Sequence, residues 1–174
     1  MTLRSSVLPQ TVIITGGNTG LGYGCARTIA ASHPNWPIVV ACRNQQQATQ
    51  AVNALQKETG NQHIERMPLD LASLASVRSF ARDFAARQLP PLRAIVCNAG
   101  IQVVSGTTYT QDGFETTFGV NCLGHFLLVN LLLRHLVAPA HIVFVSSGVH
   151  YPDSQDVMSR LTGVTPNATA MREH

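Results

Sequence analysis

A cluster of glycines directly after an apolar run is the feature that most constrains how this chain folds. The run Val12–Ile14 ends at Thr15, and a β-branched run stopped by glycine is typical of a buried parallel strand. The residues from Leu21 to Ala31 then favour a helix. A glycine turn between a strand and a helix predicts a phosphate site, because the backbone can approach a pyrophosphate and the helix offers free N–H groups. The glycines concerned are Gly16, Gly17, Gly20 and Gly22.

The spacing of these glycines leaves a second interpretation open. They run as Gly16-x-x-x-Gly20-x-Gly22, and Cys25 stands where a G-x-G-x-x-G pattern would place its last glycine. A glycine cluster alone is equally compatible with a simple tight turn. Its position between a strand and a helix favours the phosphate site.

Strand-like and helix-like segments alternate along the rest of the chain. Asn44 and Ser73 are typical helix N-caps, and Gly60 is typical of a residue just past a helix end. This alternation predicts an α/β fold, a parallel sheet with helices on both faces. We expect a domain over residues 1–148 and an irregular tail over 149–174. Further strands are predicted over 37–42, 64–69, 92–97 and 142–145, and a long helix over 111–137, bent near Gly119 or Gly124.

Composition and charge argue against several classes of partner. Net charge is +3 and no basic run is present, so nucleic acid is not an expected partner. The first ten residues lack the apolar region of a signal peptide. The longest apolar stretch, Phe126–Val137, is interrupted by polar residues and is too short to span a bilayer.

The cysteines and histidines carry less information. Each of four cysteines lies in an apolar element, which predicts buried thiols and a reducing, cytoplasmic setting. Seven histidines show no ligand spacing, so no metal site is expected. The cysteines are Cys25, Cys42, Cys97 and Cys122.

The residue after the second strand indicates which nucleotide would bind. In a dinucleotide fold an acid at this point binds the 2′-hydroxyl of NAD, whereas a basic residue accommodates the 2′-phosphate of NADP. Here Arg43 follows the strand, and no Asp or Glu precedes Glu58. The sequence therefore predicts NADP(H), although Arg43 could also be an exposed arginine that merely begins a loop.

Short motifs spread over residues 9–150 resemble the short-chain dehydrogenases/reductases. The phrases at 41–44, 69–80, 96–100 and 112–128 are similar to the branch that contains retinol dehydrogenases, the WW-domain oxidoreductase and protochlorophyllide reductase. The resemblance implies a Rossmann-type doubly wound sheet. The motifs that carry it are Thr15–Gly22, Asp70 with Leu71, Asn98–Gly100, Asn121 and Ser146 with Ser147.

The resemblance also implies a nucleotide site. The glycine turn would hold the pyrophosphate, Arg43 the 2′-phosphate, the residues after the third strand would border the adenine, and the turn after the fourth strand would line the adenosine. Asp70 could instead lead into a helix, and Asn98 could be an ordinary turn residue. In chain order the implied residues are Gly16, Asn18, Thr19, Gly20, Leu21, Gly22, Arg43, Asp70, Leu71, Asn98, Ala99 and Gly100.

Only part of the family's catalytic apparatus is present. Asn121 would hold a water of the proton relay, or serve only at a helix kink, and Ser147 would bind the substrate oxygen. The family also uses a tyrosine followed four residues later by a lysine, but the single lysine is Lys57, and no tyrosine precedes it at that spacing. We therefore expect a truncated, inactive oxidoreductase of small apolar alcohols or carbonyls; the alternative is a non-catalytic NADP(H)-binding sensor or interaction module.

The resemblance further implies a sheet of order 3-2-1-4-5-6, of which this chain supplies about five strands. An incomplete sheet would leave Ile142–Val145 as an apolar edge and expose the helix face over Phe126–Leu132. Both surfaces would promote homodimer formation or aggregation.

Overall fold

The computed structural model describes residues 8–147. Residues 8–144 lie in one compact unit, and residues 145–147 begin a second. The strands of the first unit are β1 (Thr11–Thr15), β2 (Ile38–Cys42), β3 (Ile64–Pro68), β4 (Leu92–Cys97) and β5 (Leu136–Phe144). The helices are α1 (Gly20–Ser32), α2 (Gln45–Thr59), α3 (Leu74–Ala85) and a final one over Thr116–His135, called the bent helix below.

The five strands form one parallel sheet in the order β3-β2-β1-β4-β5. This is the predicted doubly wound arrangement with five strands. β1 lies at its centre and is buried at every position. Because all strands run in the same direction, the carboxyl ends of β1, β2 and β4 meet at one edge, where ligands bind in folds of this kind.

Two apolar layers cover the sheet, one on each face. Ile13 belongs to the layer that contains Phe80 of α3 and Leu128 of the bent helix. Its neighbour Ile14 belongs to the other layer, with Leu55 of α2. The alternation follows from the two-residue period of a strand, which turns successive side chains to opposite faces. Helices on both faces complete the fold.

The predicted helix caps are confirmed. The side chain of Asn44 accepts a hydrogen bond from the backbone N–H of Gln47 at 3.0 Å, and that of Ser73 accepts from Ser76 at 3.3 Å. Gly60 ends α2 with a φ of 76°. These are local interactions, which is why the sequence predicts them.

The bent helix differs from its prediction at both ends. It begins at Thr116 rather than near residue 111, because the carboxylate of Glu115 accepts the N–H groups of Thr117 and Phe118 at 2.8 and 2.7 Å. A π-helical segment, Gly119–Gly124, lies at the position of the predicted bend. The helix ends at His135, so the predicted end at residue 137 is also wrong.

Strand β5 begins at Leu136, earlier than the predicted Ile142. Leu136 pairs with Leu92, and the ladder to β4 is irregular before it resumes at Ala94 and His141. Pairing with a neighbouring strand, rather than local sequence, therefore determines where β5 starts.

The predicted apolar edge is confirmed among the described residues. β5 lies at the end of the sheet, and Ile142, Val143 and Phe144 are 37%, 46% and 58% exposed. The predicted helix face is wrong in extent. Phe126 is 66% exposed, but Leu132 is fully buried in the core.

By length and composition, Thr116–His135 is the one helix of the described residues that could cross a membrane. An apolar core helix of a soluble protein has the same length and composition. Here Leu128 and Leu132 are fully buried in the layer that also contains Ile13 of β1.

The expectation that all four cysteines are buried is wrong for Cys122. Cys42 and Cys97 are buried, Cys25 is half-buried, and Cys122 is exposed on the π-helical segment. Burial raises the pKa of the Cys97 thiol to about 12, so this group stays protonated and unreactive at neutral pH.

Replacing a buried leucine of the bent helix tests its role in the core. We expect Leu128→Ala to lower the free energy of unfolding by about 2–5 kcal/mol, because it leaves a cavity under the sheet. Phe126→Ala, on the exposed side of the same helix, should change it by less than about 1 kcal/mol. Urea denaturation measures both, and equal losses would contradict this packing.

Candidate functional site

The glycine turn connects β1 to α1 at the carboxyl edge of the sheet. Gly16 has a φ of 65°, and a Cβ built on it would lie 3.0 Å from the Cα of Ala99. A Cβ on Gly22 would lie 2.4 Å from Nδ2 of Asn98 and 2.5 Å from the carbonyl oxygen of Gly16. The turn therefore packs tightly on its inner side, and only glycine fits at these two positions. Thr19, Gly20 and Leu21 are exposed at its outer rim.

The first turn of α1 is suited to an anion. Thr19 occupies the N-cap position but accepts no hydrogen bond with its side chain, and no acidic residue lies in the first turn. A Cβ on Gly20 would meet no atom within 4 Å, so the outer side of the turn is open. Free N–H donors and the positive end of the helix dipole favour a phosphate here.

The hydroxyl of Thr15 holds the turn after β4 against the glycine turn. Its Oγ1 accepts the backbone N–H of Asn98 at 2.9 Å and that of Ala99 at 3.0 Å. Asn98 in return donates Nδ2–H to the carbonyl oxygens of Thr15 and Gly16, at 3.0 and 3.4 Å. The structure thus brings Asn98 and Ala99 together with the glycine turn.

The side chain of Asn121 forms two hydrogen bonds to the loop that follows Gly100. Its Oδ1 accepts the N–H of Ile101, and its Nδ2 donates to the carbonyl of Ile101, both at 2.9 Å. The side-chain amide therefore hydrogen-bonds to protein backbone, as expected for the alternative in which Asn121 serves only at a helix kink. Its predicted role in holding a catalytic water stays a prediction.

Asp70 and Leu71 have structural partners of their own. The carboxylate of Asp70 accepts the N–H of Ala72 at 2.9 Å, and its backbone N–H donates to the hydroxyl of Ser76 at 3.0 Å. Leu71 is buried in the core. Asp70 thus shapes the turn that leads into α3, and contact of either residue with adenine stays a prediction.

Arg43 extends into solvent beside the glycine turn. The N–H of Gly16 donates to the carbonyl of Ala41 at 2.8 Å, which ties the turn to the end of β2. Asn18 donates to the side chain of Gln47 at 3.3 Å, and this bond joins the turn to the start of α2. Arg43 lies between these contacts in the chain and is exposed. Neither ion pair among residues 8–147 includes Arg43.

The remaining predictions concern Ser147 and metal ions. Ser147 belongs to the second unit, so its role stays a prediction. Tyr151, the tyrosine closest to it in the sequence, lies outside the described residues. Within residues 8–147, no three His, Cys, Asp or Glu side chains are grouped to hold a metal ion.

The sequence analysis missed the position of His125. This residue is 2% exposed, with Nε2 2.9 Å from Oγ1 of Thr15 and Nδ1 3.2 Å from the carbonyl oxygen of Asn121. Burial lowers the pKa of His125, and the hydrogen bond to Asn121 offsets part of that effect. A histidine in an apolar helix was the available signal, but its partner is 110 positions away in the sequence.

The sheet order and the glycine turn define a doubly wound α/β protein of the dinucleotide-binding class. The short chain dehydrogenase family model matches residues 10–155, and the chain belongs to this family.

Relatives in vertebrates match most of the chain. The WW domain-containing oxidoreductase of Danio rerio is 45% identical over 143 residues, covering 81% of this chain and 34% of that protein. Human polyprenol dehydrogenase is 40% identical over 148 residues, covering 82% and 44%. Human retinol dehydrogenase 13 is 41% identical over 149 residues, covering 84% and 44%. The chain therefore spans less than half the length of these relatives.

Solved structures share the fold. An uncharacterised protein from Mycobacterium paratuberculosis is 36% identical with a TM-score of 0.68, covering 82% of this chain and 48% of that one. A short-chain dehydrogenase from Sphingobium yanoikuyae in complex with NADPH is 23% identical with a TM-score of 0.67, covering 82% and 55%.

Two glycines of α1 form a matched test of the turn. We expect Gly22→Ala to lower the free energy of unfolding by about 1–3 kcal/mol, because the added methyl group would collide with Asn98 and Gly16. Gly24→Ala meets no atom within 4 Å and should be neutral or slightly stabilising, since alanine favours helix. Urea denaturation of both variants decides; a neutral Gly22→Ala would contradict the close packing.

The buried imidazole should make stability depend on pH. The pKa of His125 is lower in the folded chain than in the unfolded chain. The buried neutral ring therefore makes its full contribution to the free energy of unfolding above about pH 6.5, and this contribution declines as pH falls below that value. We expect wild type to lose more unfolding free energy than His125→Gln between about pH 7.5 and about pH 5.5. Equal losses in the two proteins would show that His125 is not buried in its neutral form.

Proposed function

We propose that this chain binds NADP(H) through the glycine turn and forms the cofactor-binding part of an oxidoreductase that interconverts carbonyl and alcohol groups. The observation that carries the proposal is the turn itself. It is closed on its inner side by Asn98 and Ala99 and is open on its outer side at Gly20. A pyrophosphate fits that open side, where the start of α1 offers N–H groups.

Arg43 supports the choice of NADP(H) over NAD(H). It lies at the end of β2, where the adenine ribose is held in dinucleotide folds, and no carboxylate precedes Glu58 to bind a 2′-hydroxyl. A guanidinium forms charge-assisted hydrogen bonds to phosphate. The Sphingobium yanoikuyae dehydrogenase, which holds NADPH, has the same fold.

The residues of this chain would hold the nucleotide in a defined order. The glycine turn would take the pyrophosphate, Arg43 the 2′-phosphate, and the turn over Asn98–Gly100 the adenosine side. Bound NADPH supplies the hydride. Asn121 and Ser147 would serve the substrate end, Ser147 by hydrogen bonding to the substrate oxygen. A small apolar alcohol or carbonyl is the proposed substrate class, which the names of retinol dehydrogenase 13 and polyprenol dehydrogenase support.

We further propose that the chain by itself does not turn over substrate. The family's reaction uses a tyrosine and, four residues later, a lysine, and this sequence has no such pair. Loss of a positioned general acid typically lowers the rate by about 10²–10⁴-fold. The chain spans less than half the length of the relatives it matches. We also propose a cytoplasmic setting, because the described cysteines are free thiols, which are typical of reducing compartments.

A second candidate is a non-catalytic NADP(H)-binding sensor or interaction module. The exposed apolar edge of β5 favours it, since such an edge can pair with another chain. The coding sequence beyond codon 174 separates the two candidates. A frame that continues into Tyr-x-x-x-Lys supports the enzyme, and a stop codon supports the sensor.

Nucleotide titration tests the cofactor. We expect NADPH to bind more tightly than NADH, and Arg43→Ala to weaken NADPH binding by about 10–100-fold while leaving NADH binding nearly unchanged, because only NADPH carries the 2′-phosphate. Arg82→Ala, an exposed arginine paired with the adjacent Asp83, is the matched control and should not change either affinity. NADPH fluorescence reports binding. Equal loss for both nucleotides in Arg43→Ala would contradict the proposed 2′-phosphate contact.

A further inference from the structure

His125 connects the glycine turn to the bent helix through hydrogen bonds at both ring nitrogens. Nε2 is 2.9 Å from Oγ1 of Thr15, and Nδ1 is 3.2 Å from the carbonyl oxygen of Asn121. The ring is buried, so water does not compete for these bonds. One side chain thereby contacts both the end of β1 and the segment that carries Asn121.

The hydrogen-bond partners determine where the protons lie. Oγ1 of Thr15 accepts two backbone N–H groups, from Asn98 and Ala99, which occupy both of its lone pairs. Its own proton must therefore be donated. The Nε2 atom of His125 is the nearer acceptor, because the carbonyl oxygen of Val96 is 3.3 Å away.

The other ring nitrogen completes the assignment. A carbonyl oxygen can only accept, so Nδ1 donates its proton to Asn121. The imidazole is thus neutral and carries its proton on Nδ1. The carbonyl of Asn121 lies in the π-helical segment Gly119–Gly124, and segments of this kind occur frequently at functional sites.

We infer that His125 is a positioning residue of the nucleotide site. By accepting the Thr15 proton, it holds the hydroxyl in the orientation that binds Asn98 and Ala99. Those two residues pack against the inner side of the turn at Gly16, so the imidazole supports from behind the surface whose open, outer side would hold the pyrophosphate. Its second bond joins the same surface to Asn121. This inference rests on the proposed function, in that the positioned site is the one for NADP(H).

Two substitutions separate the two hydrogen bonds. In His125→Gln the side-chain oxygen can reach the place of Nε2 and accept from Thr15. His125→Asn can donate at the place of Nδ1 but leaves Thr15 only the more distant carbonyl of Val96, at 3.3 Å, as acceptor. We expect the glutamine variant to bind NADPH within about 3-fold of wild type, and the asparagine variant to bind about 5–10-fold more weakly. A residue that only fills space would give equal losses, and that result would overturn the inference.

The tautomer is tested independently by nitrogen-15 NMR of the imidazole. A neutral ring protonated at Nδ1 supports the assignment, and a ring protonated at Nε2 overturns it, because Thr15 would then donate to Val96 instead.

Amide exchange separates this inference from the proposed function. If wild type binds no NADPH, the proposed function fails. The rate of amide hydrogen exchange at Asn98 and Ala99 then tests on its own whether His125 positions these two residues. Exchange about 5–10-fold faster in the asparagine variant than in the glutamine variant supports positioning. Equal exchange overturns it.

Discussion

The hydroxyl of Thr15 is the interaction on which the candidate site depends. It lies at the end of the central strand, fully buried between the two apolar layers. There it accepts the backbone N–H groups of Asn98 and Ala99, in the turn after β4. A hydrogen bond of this kind contributes about 0.5–1.5 kcal/mol, so these two bonds stabilise the junction of β1 and β4 and hold the turn after β4 against the glycine turn.

The bent helix brings a second part of the molecule to the same junction. Its apolar side chains pack in the core beneath the sheet, while Asn121 binds the backbone of Ile101 and His125 reaches Thr15. The π-helical segment lies where these two polar side chains leave the helix, since Asn121 is within it and His125 directly follows it. Packing and polar contacts thus act together, because the buried leucines hold the helix close enough for the imidazole to bond.

The two ends of the candidate site differ in how they are built. The end proposed for the pyrophosphate is closely packed, since Gly22 and Asn98 are in close contact and admit no larger side chain. Arg43, in contrast, is exposed and belongs to neither ion pair among the described residues, so it is available to a phosphate. Close packing would therefore determine which group fits at the glycine turn, and charge would determine which group binds at Arg43. The exposed edge of β5 lies on the far side of β4 from the glycine turn.

The strand order was implied by the family resemblance. The sequence by itself determined the parallel α/β fold, the caps at Asn44 and Ser73 and the glycine turn. Each of these depends on residues close together in the chain, or on the alternation of strands and helices. Only the tertiary structure decided where β5 begins, that Leu132 is buried, that Cys122 is exposed and that His125 bonds to Thr15. These features depend on partners distant in the sequence: β5 starts where β4 can pair with it, and the imidazole meets the Thr15 hydroxyl that donates to it only after the sheet and helix have packed. Local patterns carry no information about such contacts, because the distance between two side chains is set by the packing of the elements that carry them.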